Sequence, residues 1–241
     1  DADAGATSSD AGSADAGSSD AGAPVPAEVV SRAVFIPIPA GLGDASLRQT
    51  LSSAETFRSV SLSADGAHAV LFTTARASSR VTLVGPDFSA RRAELIAPVR
   101  AVFVTADGAN AIALQDPPAG SVKKGAFSVL SLAGVRAPKL VASDAPAVAV
   151  ALPAGSSERA LVTVSNPATS SFGTYLVRTA NLQVDFSSLS SEPLSSGTVP
   201  GAQKGFVAQV HPEGRITFID LNDGAGREIT GFELSSKVVN E

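Results

Sequence analysis

From about Val29 onward, short apolar segments rich in Val, Ile, Phe, Leu and Thr alternate with Gly, Pro, Asp and Ser punctuation. Few windows carry the 3.6-residue period of an amphipathic helix, so strands predominate. Two segments repeat one another 42 residues apart: Phe57–Thr74 reads FRSVSLSADGAHAVLFTT and Val99–Asp116 reads VRAVFVTADGANAIALQD. Arg58 aligns with Arg100, Val60 with Val102, Asp65 with Asp107, Gly66 with Gly108 and Ala69 with Ala111. In both, Asp-Gly separates two apolar strands, because Gly accepts a positive φ and Asp can bond the backbone two residues on. The strand after the first turn is apolar on both faces, with Ala67, Ala69 and Leu71 on one and Val70 and Phe72 on the other. Such a strand belongs to a sheet sandwiched between neighbours.

The pattern continues as four units at about 54–97, 98–144, 145–190 and 191–234. Their predicted strands are 57–63, 67–74, 79–85 and 91–96; 99–105, 109–115, 125–132 and 137–142; 146–152, 158–165, 172–179 and 182–187; and 195–199, 204–210, 214–221 and 227–233. Four strands per unit at a period of 42 to 47 residues predict an all-β chain, a β-propeller of four-stranded antiparallel blades. RAVFIPIP (Arg32–Pro39) reads as a strand interrupted by two prolines, which places it at a sheet edge. Four units are evident. Either Val34–Ile38 helps close a compact four- to five-bladed ring, or the chain is an incomplete ring belonging to a larger propeller; the smaller form is the reading preferred.

Residues 1–28, DADAGATSSDAGSADAGSSDAGAPVPAE, contain no large apolar residue before Val25. Nothing there offsets the entropy of ordering, so the sequence divides into a disordered Asp/Ala/Gly/Ser-rich linker, 1–28, and a propeller domain, 29–241. The five Asp of residues 1–22 equal the net charge of −5, and the remainder balances 18 acids with 18 bases. Evenly spaced DAG does not converge oxygens on one ion as a calcium loop must. The neutral body gives no electrostatic reason to bind nucleic acid. Cys, Met and Trp are absent, which excludes disulfides, thiolate chemistry and Cys metal sites. The missing initiator Met points to a processed, trimmed or partial product, and no apolar run approaches the 18 residues of a membrane span.

VSLSADGAHAVLFT and VFVTADGANAIAL resemble the V-x-x-S-P-D-G-x-x-A core of YVTN-type propeller repeats, found in bacterial surface and secreted proteins. GRITFIDLNDGAGREITGFEL (Gly214–Leu234) resembles the third and fourth strands of such a blade. Ala64 and Ala106 stand where that pattern has Pro, and units three and four are degenerate. The chain is also similar to hypothetical secreted or lipoprotein propellers of GC-rich Gram-negative bacteria, whose Asp/Ala/Gly-rich tails follow a lipidated Cys. The resemblance implies an extracytoplasmic location (periplasm, outer-membrane surface or secreted), with a lipid anchor upstream of the given chain. The preferred function is a non-enzymatic scaffold that binds a protein or cell-envelope component, tethered by the acidic segment.

The residues offer little catalytic chemistry, and no catalytic residue, metal ligand or cofactor is assigned. His68 follows the Asp-Gly turn of the first unit, where its equivalent is Asn110, and is expected to be a surface turn residue. His211 opens the β-turn HPEG. A degenerate lactonase-like hydrolase is the alternative function, and a structural fragment of a larger surface protein is another. Such enzymes line their central channel with the first strand of each blade. Here those strands supply Arg58 and Arg100 but no carboxylate or His. Paired guanidinium groups could hold an anion. The alternative is that each Arg pairs with a neighbouring acid or faces solvent. The longest blade loop, DPPAGSVKKG (Asp116–Gly125), carries Pro117, Pro118, Lys123 and Lys124 and is the candidate partner-binding loop. With one Tyr and no Trp, stacking recognition of sugars or bases is not favoured.

Overall fold

The computed structural model describes residues 31–154 and 156–231; the acidic segment 1–28 and the end of the strand expected at 227–233 lie outside the described residues. The first sheet pairs β1 (Ser31–Phe35) with β2 (Gln49–Ser53). Its connection holds a one-turn helix, α1 (Ala40–Gly43), and a 3-10 turn, Ala45–Leu47. Four sheets of four antiparallel strands follow. Blade 1 is β3 (Ser59–Leu62), β4 (Ala69–Phe72), β5 (Arg80–Val84) and β6 (Ala90–Glu94). Blade 2 is β7 (Val99–Val104), β8 (Asn110–Gln115), β9 (Gly125–Ser131) and β10 (Lys139–Ser143). Blade 3 is β11 (Ala147–Ala151), β12 (Arg159–Asn166), β13 (Ser171–Arg178) and β14 (Gln183–Ser188). Blade 4 is β15 (Pro193–Thr198), β16 (Lys204–Gln209), β17 (Arg215–Asp220) and β18 (Gly226–Thr230).

Strands within each blade pair in chain order, so the fold is the all-β propeller that the repeats predict. The proline-interrupted strand is shorter than expected. It ends at Phe35, before Pro37. Its partner β2, QTLSS, was not anticipated, because a segment with Leu51 as its single large apolar residue shows no alternation.

Packing runs serially. Val70, Phe72, Val81 and Leu83 of blade 1 meet Val102, Val104, Ala111 and Ala113 of blade 2. Ile112, Leu114, Phe127 and Val129 of blade 2 meet Ala147, Ala160 and Val162 of blade 3. Leu161 of blade 3 meets Val207 and Ile219 of blade 4. β8 and β9 are buried along their whole length because neighbouring blades cover both of their faces. Each fully buried Val, Leu, Ile or Phe contributes about 1.5–3 kcal/mol by leaving water.

The Asp-Gly turns use the carboxylate as expected. Asp65 Oδ1 accepts from the Ser63 hydroxyl at 2.5 Å and the Ala67 amide at 2.9 Å. Asp107 Oδ1 accepts from the Thr105 hydroxyl at 2.8 Å and the Ala109 amide at 2.9 Å. The Ser63 hydrogen bond and then the Ala67 amide hold the Asp65 carboxyl below its ordinary 3.8. At Asp107 burial is the largest single influence and opposes ionisation. Hydrogen bonds involving Ser157, Ala109 and Thr105 outweigh it, and this carboxyl is lowered too. A lowered folded value means that the contribution is complete above about pH 4 and is lost as pH falls through that value. The Asp65→Ala, Asp107→Ala double variant should therefore show a flatter decline of stability below pH 4 than the parent. Urea unfolding at pH 5 and pH 3 measures the difference.

His68 differs from its expected role. It is half-buried, and its ring lies against the turn of the next blade, where a Cβ at Gly108 would fall 2.2 Å from His68 Nδ1. Its repeat partner Asn110 is buried at the start of β8; the backbone amides of both donate to the hydroxyl five residues earlier, Ser63 and Thr105, so the turn bond is shared and the side-chain surroundings differ. Gly108 also sits at φ +67°. Gly108→Ala should cost about 2 kcal/mol, combining overlap with a left-handed backbone. His68→Ala in the same chain should recover the overlap part and leave about 1 kcal/mol of backbone cost. A double-mutant cycle by urea unfolding tests this.

Candidate functional site

The loop between β8 and β9 rests on two buried strands and is tied down at its far end. Lys123 Nζ lies 2.6 Å from Asp144 Oδ1, and the Lys124 amide donates to the Ser143 carbonyl at 3.0 Å. These contacts join the loop to the connection between β10 and β11. The Asp144 hydrogen bond raises the Lys123 ammonium above its ordinary 10.5, so it stays charged at physiological pH. Both partners are substantially exposed, so the pair orients the loop more than it stabilises the fold. Tyr175 sits close enough for its hydroxyl to feel Asp144; burial first, then that charge, raises its pKa. Its ring packs edge-on to Phe127, with centroids 5.4 Å apart, and beside Phe186 at 4.8 Å.

The loop tip is open. Pro117 and Lys124 are exposed, Pro118 and Lys123 are half-buried, and Val122 is 87% exposed. Ile96, 69% exposed, lies in the connection between β6 and β7 on the same end of the blades. An apolar tip on a rigid support, flanked by a cation, suits protein contact more than chemistry.

Arg58 and Arg100 hold equivalent places at the starts of adjacent first strands, and both are exposed. Arg100 is engaged: its Nε is 3.9 Å from Asp116 and its Nη1 donates to the Ala147 carbonyl at 3.4 Å. It thus spans from blade 2 to blade 3. Arg58 has no ion-pair partner among the described residues and lines an open cleft beside β1. His211 Nδ1 accepts from the Glu213 amide at 3.1 Å within its turn. Among the described residues, no three His, Cys, Asp or Glu side chains are grouped to hold a metal ion.

Two buried glutamines escaped the sequence reading. Gln115, at the end of β8, donates to the Ala97 carbonyl at 2.5 Å and accepts from the Ser128 hydroxyl. Gln209, at the end of β16, accepts from the Ser191 amide at 3.0 Å and donates to Thr217 Oγ1 at 2.7 Å. Each fastens the chain entering its blade to the blade's second and third strands. Their separation, two blade periods, was the signal available in the sequence. Basic side chains link blades at the opposite end. Arg91 reaches the Ser131 carbonyl, Arg136 that of Ala180 and Arg178 that of Asn222.

No family model matches the chain, and no curated protein matches it by sequence. Solved structures match its fold. A eukaryotic initiation factor aligns with TM-score 0.55 and 11% identity, over 74% of this chain and 43% of that one. Dipeptidyl peptidase 4 of Porphyromonas gingivalis aligns with TM-score 0.51 and 12% identity, over 73% and 33%. The β-propeller domain of the Trilobed protease from Pyrococcus furiosus aligns with TM-score 0.50 and 14% identity, over 72% and 56%. The chain spans between about a third and three fifths of the solved chains it resembles, and at these identities the likeness concerns the fold alone.

Proposed function

We propose that the chain is a non-enzymatic, extracytoplasmic propeller scaffold that binds a protein or cell-envelope component through the β8–β9 loop. The observation that carries this reading is the exposed Val122 tip, held by the Lys123–Asp144 pair above fully buried strands, with exposed Ile96 on the same end. Pro117 and Pro118 limit the loop's freedom, which lowers the entropy lost on binding. Lys124, exposed on the same loop, supplies positive charge for an acidic partner group. The acidic segment 1–28 serves as the tether, and the YVTN-type repeat resemblance supports the extracytoplasmic assignment. No helix among the described residues is long and apolar enough to cross a membrane.

A photo-cross-linking residue placed at Val122, in the producing cell, tests the proposal. One discrete adduct is expected, recovered from an extracytoplasmic fraction and lost with Lys124→Glu. The same residue at Val135, which is exposed on the opposite end of the blades, should give none. Equal labelling from both positions, or none from Val122, contradicts the proposal. Lactone hydrolysis by the purified protein would contradict its non-enzymatic part.

A further inference from the structure

The repeat exposes a gap. Val60 and Leu62 of β3 lie 42 residues before Val102 and Val104 of β7 and occupy the same strand positions. In blade 2 these residues are 6% and 8% exposed, because Val70 and Phe72 of the preceding blade's second strand pack on them. In blade 1 they are 53% and 51% exposed. Their faces are equivalent. Val60 pairs with Leu71 and Leu62 with Ala69, and Leu71 and Ala69 are the residues that meet the β1–β2 hairpin. The hairpin therefore covers the outer part of this face and leaves the inner part open.

The connection pattern explains what the hairpin lacks. Each complete blade passes from its outermost strand to the innermost strand of the next, as in β6 to β7 and β10 to β11. β2 leads into β3 in the same way and starts 41 residues before β6, so β2 corresponds to a fourth strand and β1 to a third. The first and second strands of this blade are absent among the described residues. A cleft of about 880 Å³ occupies their place, lined by β1 and β3. β1 pairs with β2 on one side, and its other edge carries unmatched backbone groups among the described residues. Arg32 and Arg58 line the same cleft, and neither has an ion-pair partner among the described residues.

We propose that this cleft takes an extended strand from a partner polypeptide, added to the free edge of β1. The recognised segment presents two bulky apolar side chains at alternate positions toward Val60 and Leu62, as Val70 and Phe72 do in the next interface. It carries an acidic residue that meets Arg58 or Arg32. Main-chain hydrogen bonds supply affinity and the alternate side chains supply specificity. This strand site is separate from the β8–β9 loop and does not depend on it.

The covering strand of the next interface defines the probe: a synthetic peptide of residues 66–74 of this chain, GAHAVLFTT, extended by one Glu. Saturable binding to the full chain is expected by fluorescence anisotropy. Val60→Asp should weaken it at least tenfold, while Val135→Asp, on an exposed residue outside both sites, binds as the parent does. The exposure of Val60 makes that variant safe for folding, which an unchanged Tm confirms. Failure of the peptide to bind, or equal binding by Val60→Asp, overturns the proposal. Binding only after removal of residues 232–241 overturns it in favour of the chain's own C-terminal segment. A dimer by analytical ultracentrifugation that the peptide cannot dissociate overturns it in favour of a second copy.

Discussion

Gly125→Ala is expected to destabilise the protein by about 3 kcal/mol or more. Gly125 opens β9 where the connection into blade 3 crosses it. A Cβ there would stand 2.5 Å from the Ala145 carbonyl oxygen and 2.6 Å from Pro146 Cα. Both obstacles are backbone, so no rotamer change relieves them, and β9 or the connection must move. Either movement disturbs Phe127 and Ala147, which pack together across the interface of blades 2 and 3. At about 2–4 °C per kcal/mol for a protein of this size, Tm should fall by about 6–12 °C. Gly120, in the same loop, is the control. A Cβ there meets nothing within 4 Å, although its φ is +75°. Gly120→Ala should cost about 1 kcal/mol, from backbone conformation alone. Similar losses at the two positions would show that close approach of the connection is not what selects glycine at 125.

Gln115→Leu is expected to cost about 2–4 kcal/mol. Leucine fills similar volume, so the loss is polar: the buried Ala97 carbonyl and Ser128 hydroxyl both lose their partner, at about 1–3 kcal/mol for each unsatisfied group. Gln209→Leu should behave alike in blade 4, stranding the Ser191 amide. The two glutamines share no partner, so their losses should add in the double variant. Combining Gln115→Leu with Ser128→Ala should recover part of the single loss, because one orphaned group is then removed. Urea unfolding of the parent and the four variants measures these terms. A Gln115→Leu variant within about 0.5 kcal/mol of the parent would contradict the anchoring role.

The blades were legible because two local signals agreed. Asp-Gly turns marked hairpins at Asp65 and Asp107, and the strand beginning near Ala69 was apolar on both faces. Together they predicted sheets covered on two sides, as β4 and β8 are. What stayed hidden depends on contacts distant in sequence. β2 is held by pairing with β1 and by Leu51 against blade 1, and QTLSS alone offers no such pattern. His68 looks like any polar turn residue until Gly108 of the next blade closes over it. Gln115 looks exposed in a list of polar residues, yet it is fully buried, because its partners arrive from a connection 18 residues earlier and a strand 13 residues later. The candidate site was legible only as a loop. Its length and prolines marked the segment from Asp116 to Gly125, whereas the Asp144 carboxylate that orients Lys123 comes from another connection. Arg58 and Arg100 were recognisable as a repeated pair, but their different surroundings, a cleft for one and Asp116 with Ala147 for the other, arise from the blades on either side.

Residue-resolved amide hydrogen exchange tests the central claim, that recurring four-stranded sheets bury one another face to face. Maximal protection should recur at 69–72, 110–115, 160–164 and 205–209, the second strands of successive blades, with β6 and β18 exchanging faster at the periphery. Protection confined to one continuous stretch, or without recurrence at the spacing of the blades, would contradict it.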